Sequence, residues 1–558
     1  MSGMSLPEFS TQSELFSTVG CARQLFAPTD RFRLFAQKVY PVLAQTRPQL
    51  EACYCTDNGR VALEPVLLMG VSLLQYLEAI PDRQAIEMLR YHAGWNFALN
   101  RHVGDELFHP TTLVNFRQRL LEHDLSAIGF QAVLAGLVEA GLVARRSRQR
   151  LDSTQMFGRV SRMSRLDCVR ESLRLALQEL SESLPEPQRP AWWGELWANY
   201  VESQADYRAS LETLARKMGE AGQAVQQVLG WLASPAHQEL ARAKQAQLLA
   251  RVFAEQFEVV PATSQLQPKA KQDLSSARVQ TPHDPEATYA SKGKGEQRKE
   301  HVGYKVQVAE TVTETVLAPG EPTTNFIVGM VTHAARESDE EGALKMEAEQ
   351  QTMGLQKPPV NYVDAAYVST EKLVEAAAEG RELIGPAQGP GTRDGRFNSE
   401  AFQVEVEQGR ATCPGGHQNT QCSRLVEKAT GKVSYRFEWD TATCAACPLR
   451  LKCIKAEHPH RTLVVGENHT VLQARRQEQQ TEAFKARMKH RNAIEGTQSE
   501  LVRAHGLRRA RYRGLAKTKL QNYFIGAACN VKRWLRRVAW ATQQALTATA
   551  TSLAPATN

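Results

Sequence analysis

Apolar residues recur at helical spacing through the first quarter of the chain. Leu63, Val66, Leu67, Val71, Leu74 and Leu77 form one stripe, and Ile86, Leu89 and Phe97 continue the pattern, which predicts packed helices between about 30 and 140. At 109–120, Pro110 and two threonines mark a helix start. Leu113, Phe116 and Leu120 form its buried stripe, with Arg117 and Arg119 off it. A second helical block is predicted over 159–256, where Leu173, Leu177, Leu180, Leu211, Leu214 and Val228 recur among charges. Residues 263–300, rich in Ser, Gln, Lys, Pro and Gly, lack periodicity and read as a loop or mobile linker.

The period then changes. Residues 303–309 alternate as a half-buried strand, and 325–333 form a second β-rich run. A helix over 337–353, a buried strand over 359–365 that carries Asp364, a helix over 370–378 and a strand over 382–385 follow. This alternation predicts an α/β fold on a mixed sheet, and functional groups of such sheets sit at strand ends. Between 390 and 470 Gly, Pro and Cys interrupt the pattern. One long helix is expected over 481–504, and a final helix over 523–546.

With 558 residues, 42% hydrophobic, the chain has material for three or four domains. No apolar run approaches the roughly 20 residues that span a bilayer. The N-terminus shows no export signal, so a soluble, cytoplasmic protein without membrane partners is expected. Charge is concentrated: residues 471–540 hold 17 Lys and Arg against 4 Glu, a net of +13, in a chain of net +8. Such a localised excess suits nucleic-acid phosphates, though a solvated basic helix has the same composition. Arg508, Arg509, Arg511, Tyr512, Arg513, Lys517 and Lys519 are the candidate phosphate contacts, with Lys292, Lys294 and Lys305 as weaker ones. Five of the ten cysteines fall within 413–453. Cys413, Cys444, Cys447 and Cys453 are the candidate ligands of a structural Zn²⁺, with Cys422 or His417 as substitutes.

Three carboxylates stand out by context. Asp364 closes an apolar strand and is followed by two alanines; Glu495 falls on the helical stripe of Phe484, Met488, Arg491 and Val502; Asp152 follows a short strand signal. A charge on a packing stripe needs a partner, here Arg491, or a cation. Carboxylates converging from separate elements would suit Mg²⁺, a hard ion that keeps positions for phosphate and water.

The order Asp152-Ser-Thr, Tyr362-Val-Asp364-Ala-Ala-Tyr367, Arg491-x-x-x-Glu495, Gly506-Leu-Arg-Arg-x-Arg-Tyr-Arg-Gly514 and Asn530-x-Lys-Arg533 resembles the DDE transposases of bacterial insertion sequences. It is most similar to the group named for insertion sequence eleven-eighty-two. The resemblance implies an α/β RNase H-like core, with flanking helices on a mixed sheet, beside an all-helical N-terminal domain, a helical insert and a small cysteine-rich insert. It implies that Asp152, Asp364 and Glu495 hold two Mg²⁺ or Mn²⁺ ions, with Arg491 beside them. It further implies cleavage at the element's ends and attack of the freed 3′-hydroxyls on target DNA, with terminal repeats and target as DNA partners. Joining two ends implies a homodimer on DNA.

The corresponding layout is a DNA-end-binding helical domain at 1–145, the first core strand at 146–158, a helical insert and linker at 159–275, and the core at 276–390. The cysteine insert at 391–470, the last catalytic helix and basic helices at 471–546, and a disordered tail at 547–558 complete it. Three positions depart from the family pattern. Met488 replaces a common Tyr, Val502 with Arg503 stands where a Lys is usual, and Ala366 replaces the Gly before Tyr367. Two further readings fit the same residues: a metal-dependent endonuclease without strand transfer, and an inactive zinc-stabilised DNA-binding protein.

Overall fold

The computed structural model describes residues 24–55, 62–102, 104–159, 163–203, 210–260, 265–293, 295–390, 395–428 and 430–553. The strands of its main sheet are β1 (Gln149–Phe157), β2 (Thr288–Lys292), β3 (Lys299–Thr311), β4 (Ile327–Ala334), β5 (Val360–Tyr362) and β6 (Glu382–Ile384). β1 lies between β3, its antiparallel neighbour, and β5, which runs parallel to it. β3 also pairs antiparallel with β2 and β4, and β6 extends the sheet parallel to β5. The short signal before Asp152 is thus the central strand. β3 was expected to be half-buried, but Val306 to Thr311 are buried on both faces, including Gln307 and Glu310.

The N-terminal helices include α1 (Pro65–Leu77), α2 (Thr111–Glu122) and α3 (Ile128–Glu139). They have no separate core. Phe35, Val66, Phe116 and Val133 join Val306, Ile327 and Met330 of the sheet, and Leu520, Phe524 and Val531 of the C-terminal helix, in one apolar cluster. Three helices, α4 (Arg165–Ser183), α5 (Leu211–Leu232) and α6 (Lys244–Gln256), pack around a second core that includes Leu173, Leu177, Val225 and Leu249. The segment expected to be a mobile linker is ordered where it is described. Leu266–Pro268 pairs with Phe257–Val259, β2 pairs with β3, and Asp284 is buried and accepts a 2.7 Å hydrogen bond from Tyr304 Oη. Backbone pairing with neighbouring elements replaces the missing periodicity.

After β4 come α7 (Asp339–Thr352) and α8 (Thr370–Ala378). The cysteine module follows, with strands β7 (Gln403–Glu405), β8 (Arg410–Thr412), β9 (Gln421–Val426), β10 (Val433–Glu438) and β11 (Thr462–Gly466). It holds its own small core of Phe402, Val404, Phe437, Trp439, Leu463 and Val465. The chain returns through α9 (His469–Glu478), α10 (Glu482–Asn492), α11 (Ile494–His505) and the 39-residue α12 (Leu515–Leu553). The tail expected from 547 is therefore helical through Leu553, and 554–558 lie outside the described residues.

α12 packs between β4 and helices α1 and α3. The approach is close: a Cβ on Gly526 would fall 2.4 Å from Met330 Sδ, so a larger residue there would have to displace the Met330 side chain. Asn530 locks the register, its Nδ2 donating to Ile327 O and its Oδ1 accepting from Ile327 N, both at 2.8 Å. Arg117, placed off the apolar stripe by its spacing, is buried and forks onto Asp82 at 2.6 and 3.1 Å. It ties two helices together and presents no free charge to a ligand.

Beneath the sheet's central strands lies a buried ion cluster. Glu310 of β3, fully buried, accepts from Arg150 Nε at 2.6 Å, from Thr497 Oγ1 at 2.7 Å and from Arg533 Nη1. Arg533 also donates to Glu500 at 2.9 Å and to Thr497 at 2.9 Å. Glu310→Ala leaves two buried guanidiniums without their shared anion, a loss of about 3–5 kcal/mol. A lowered urea midpoint checks this; a midpoint within error of the parent's would show that the cluster does not hold the core.

Candidate active site

β1 and β5 bring two aspartates to one level. The parallel register pairs Gln149 with Asn361 and Arg150 with Tyr362. The same offset, carried two residues on, sets Asp152 beside Asp364. Asp152 is 8% exposed and its Oδ1 accepts from Ser153 N at 2.8 Å. Asp364 stands just past β5, where its Oδ1 accepts from Ala366 N at 2.8 Å and caps the turn Ala365–Tyr367. The small alanines and buried Tyr367 of that turn seat it under the carboxylate.

The third carboxylate arrives differently than expected. The single helix over 481–504 is two helices that turn at Ala493, α10 ending with Arg491 in its last turn and α11 starting with Glu495 in its first. Phe484, Ile494 and Leu501 are the buried residues that anchor the pair. Glu495 is off this packing face, its side chain 71% exposed. The turn frees it to lean back towards Arg491.

Arg491 joins all three acids. Its Nη2 lies 2.8 Å from Asp152 Oδ2 and 3.9 Å from Asp364 Oδ2, and its Nη1 lies 3.4 Å from Glu495 Oε1. One guanidinium thus faces three carboxylates. Burial raises the Asp152 carboxyl above its ordinary value, and Asp364 adds to this, while Arg491, the Ser153 amide and Lys292 oppose it. The donor set is all hard oxygen from three separate elements, with charge to spare over the single cation present, so it fits a divalent ion such as Mg²⁺. The buried Arg491 Nε has no hydrogen-bond partner.

A cleft of about 790 Å³ opens beside these residues, lined by Ser153, Ala366, Gln498, the cations Lys292, Lys305, Arg336 and Arg508, and the acids Glu337 and Asp339. Lys305 is held in place, its Nζ 3.1 Å from Asp339 Oδ1 and donating to Glu337 O at 2.8 Å. His333 is buried, and burial lowers its pKa below the usual imidazole value. Sequence reasoning missed Arg336, Gln498 and the Glu310 cluster. A glutamate inside the apolar run of β3 was the available signal.

Residues 412–535 match the family model described as "Transposase DDE domain", and residues 21–119 match one described as "Transposase domain (DUF772)". Both matches support a DDE transposase family. The first spans part of the cysteine module, Arg491, Glu495 and much of α12; the second covers the N-terminal helices as far as α2. No curated protein gives a significant match to the chain. These domains indicate a transposase function, with DNA as the partner that such a family implies, and DDE transposases normally use divalent ions such as Mg²⁺. Among the described residues no helix is long and apolar enough to cross a membrane.

In the cysteine module, Cys413, Cys444, Cys447 and Cys453 line one cavity of about 20 Å³ together with His417 and Trp439. A Cβ on Gly415 would fall 3.3 Å from Cys447 Sγ and 3.7 Å from Cys413 Sγ, so the turn cradles both sulfurs. Burial raises the Cys453 thiol, Arg461 opposes it, and Cys413, Cys444 and Cys447 raise it further. Four thiols around a space for one ion fit a tetrahedral metal. Cys422, on β9, does not line this cavity. A different trio, Glu500, His505 and Cys529, has its ligand atoms within 4.8 Å of one another. There Glu500 is already paired with Lys532 at 2.8 Å and Arg533 at 2.9 Å, and burial pushes the Cys529 thiol up to about 12. That chemistry opposes metal binding.

The basic segment divides by exposure. Arg508, Arg509, Arg513 and Lys517 are exposed, whereas Arg511, Tyr512 and Lys519 are half-buried. The Arg511 guanidinium stacks 4.8 Å from the Tyr76 ring centroid, and Arg117 lies 5.8 Å from that of Tyr512. Gly506, in the left-handed region at φ 73°, ends α11, and the next residues pair with the end of β1 through Phe157 N to Arg508 O and Ala510 N to Phe157 O, each 2.9 Å. This docking brings Arg508 to the cleft. Lys294 lies outside the described residues.

Replacing Arg491 by Gln removes the chief cation opposing the rise in Asp152. Its titration midpoint should move further up, read from ¹³C shifts of labelled aspartate carboxyls. An unmoved or lowered midpoint would mean that Arg491 does not govern this carboxylate.

Proposed function

We propose that the chain is a DNA transposase of the group named for insertion sequence eleven-eighty-two, which cleaves at the element's ends and transfers the freed strands to target DNA. The observation that carries this reading is the meeting of Asp152, Asp364 and Glu495 on Arg491 beside a basic cleft. The sheet supports an RNase H-like core, with β1 central, antiparallel strands on one side and parallel ones on the other.

Asp152, Asp364 and Glu495 would hold two divalent ions. Bound there, such ions supply an activated oxygen nucleophile and stabilise the leaving oxygen of an in-line phosphoryl transfer. Arg491 offsets the mutual repulsion of the acids and offers a guanidinium that matches a phosphate. Lys292, Lys305, Arg336 and Arg508 draw the DNA backbone into the cleft. Lys305 is paired with Asp339, so it adds less free positive charge to the cleft than Lys292, Arg336 and Arg508. The N-terminal helices serve end recognition, and a homodimer holds the two DNA ends. Cys413, Cys444, Cys447 and Cys453 hold a structural Zn²⁺ that braces a module whose own core is small.

Incubation with Mg²⁺ and DNA bearing the terminal repeat should give cuts at the repeat boundary and joined products, both lost in Asp364→Asn and in Glu495→Gln while DNA binding persists. Cuts without joining would favour the endonuclease, and binding without any cut the inactive DNA-binding protein. For the module, metal analysis should find one zinc per chain. Removing it with a chelator should expose 412–466 to protease and leave the main core folded. A zinc content near zero, or chelation without effect, would refute the structural ion.

A further inference from the structure

A second concave surface lies away from the carboxylates, between the cysteine module and α9. It is a groove of about 740 Å³ lined by Arg396 to Ser399, Cys453 to Lys455, the strand β11 and the start of α9. Its charged lining has one sign. Arg396, Lys455, Arg461 and Arg476 face it with His458, His460 and His469, and among the described residues no carboxylate lines it. Two described acids pair with these cations: Glu400 lies 3.3 Å from Arg476 Nε, and Glu457 lies 3.9 Å from Lys455 Nζ.

Among the described residues, two buried arginine donors and one buried imidazole nitrogen here lack a hydrogen-bond partner. Arg461 gives Nη1 to Cys453 O at 2.9 Å and Nη2 to Phe397 O at 3.3 Å, but its Nε has no partner. Arg476 forks onto Gln388 O at 2.8 and 3.0 Å and keeps Nη1 unpaired. His469, 6% exposed, has an unpaired Nε2. The ten-residue α9 starts at this same place, and Asn468 makes no side-chain cap, which leaves first-turn amides and the positive end of the helix dipole towards the groove.

We propose that this groove is a second seat for DNA, holding the phosphodiester backbone outside the carboxylate cleft. A concave surface whose charged lining is basic suits a polyanion that lays down several phosphates. A lone phosphate would satisfy only part of it. The proposal rests on the DNA-processing reading above and adds to it a site on the cysteine module.

The test uses the full-length, zinc-loaded protein and a fluorescent duplex, with affinity measured across a salt series by anisotropy. In Arg396→Gln/Lys455→Gln the slope of log K against log salt should become shallower by about two, since each lost phosphate contact removes about 0.9. The single variant Lys455→Gln, at a half-exposed side chain, should lose about one and serves if the double variant misfolds. An unchanged slope with parental affinity overturns the proposal. Titration of inorganic phosphate alone gives the other arm: saturable phosphate binding lost in the variants without any change in DNA slope would make the groove a small-anion pocket and also overturn it. If the parent protein binds no DNA at all, the transposase reading itself fails, an outcome distinct from both.

Discussion

Glu310 is the buried charge around which this structure is arranged. It lies in β3, beside the central strand, where an isolated carboxylate would be prohibitively costly. Arg150 from β1, Thr497 from α11 and Arg533 from α12 satisfy it. Two of these partners, Arg150 and Thr497, sit within two residues of a group in the site. Arg150 precedes Asp152 by two positions, Thr497 follows Glu495 by two, and Arg150 Nη1 donates to the carbonyl of His490, next to Arg491, at 3.1 Å. The cluster therefore sets the spacing of β1, α10 and α11 at the level where the acids meet. Such charge clusters define geometry more than they add stability, because desolvation consumes most of the Coulomb gain.

Above that cluster the sign reverses. Three carboxylates gather on one guanidinium, and the surplus negative charge is the feature that a divalent ion would relieve. The adjoining cleft sets Lys292, Lys305, Arg336 and Arg508 against Glu337 and Asp339, a net positive lining that suits a phosphate backbone. The groove on the cysteine module repeats the basic lining, with Arg396, Lys455, Arg461 and Arg476 around it. Charge is thus distributed by surface and not by segment. The strongly basic stretch after α11 spends Arg511 and Tyr512 on internal packing and leaves Arg508 at the cleft.

Much of the architecture was legible in the chain. The helix over 370–378 and the strands around Asp364 follow directly from periodicity, and Cys413, Cys444, Cys447 and Cys453 do share one cavity. Other features were not. The break at Ala493 leaves no signal, because no Gly or Pro marks it and both flanking segments favour helix; packing of Phe484 and Ile494 on different parts of the core decides it. The 263–300 segment reads as mobile in the sequence because the order of its described residues comes from backbone pairing and from Asp284, neither of which has a period.

Alone, the sequence determined the local elements, the types of side chain available for chemistry and their order along the chain. These depend on near-neighbour sterics and hydrophobic period, which act over a few residues. Only the tertiary structure decided that residues 152, 364, 491 and 495 meet, that the N-terminal helices share a core with the sheet, and that Arg117 is internal while Arg508 reaches the cleft. Those outcomes rest on strand register and on burial of apolar faces between segments hundreds of residues apart. No local pattern encodes a distance of that kind.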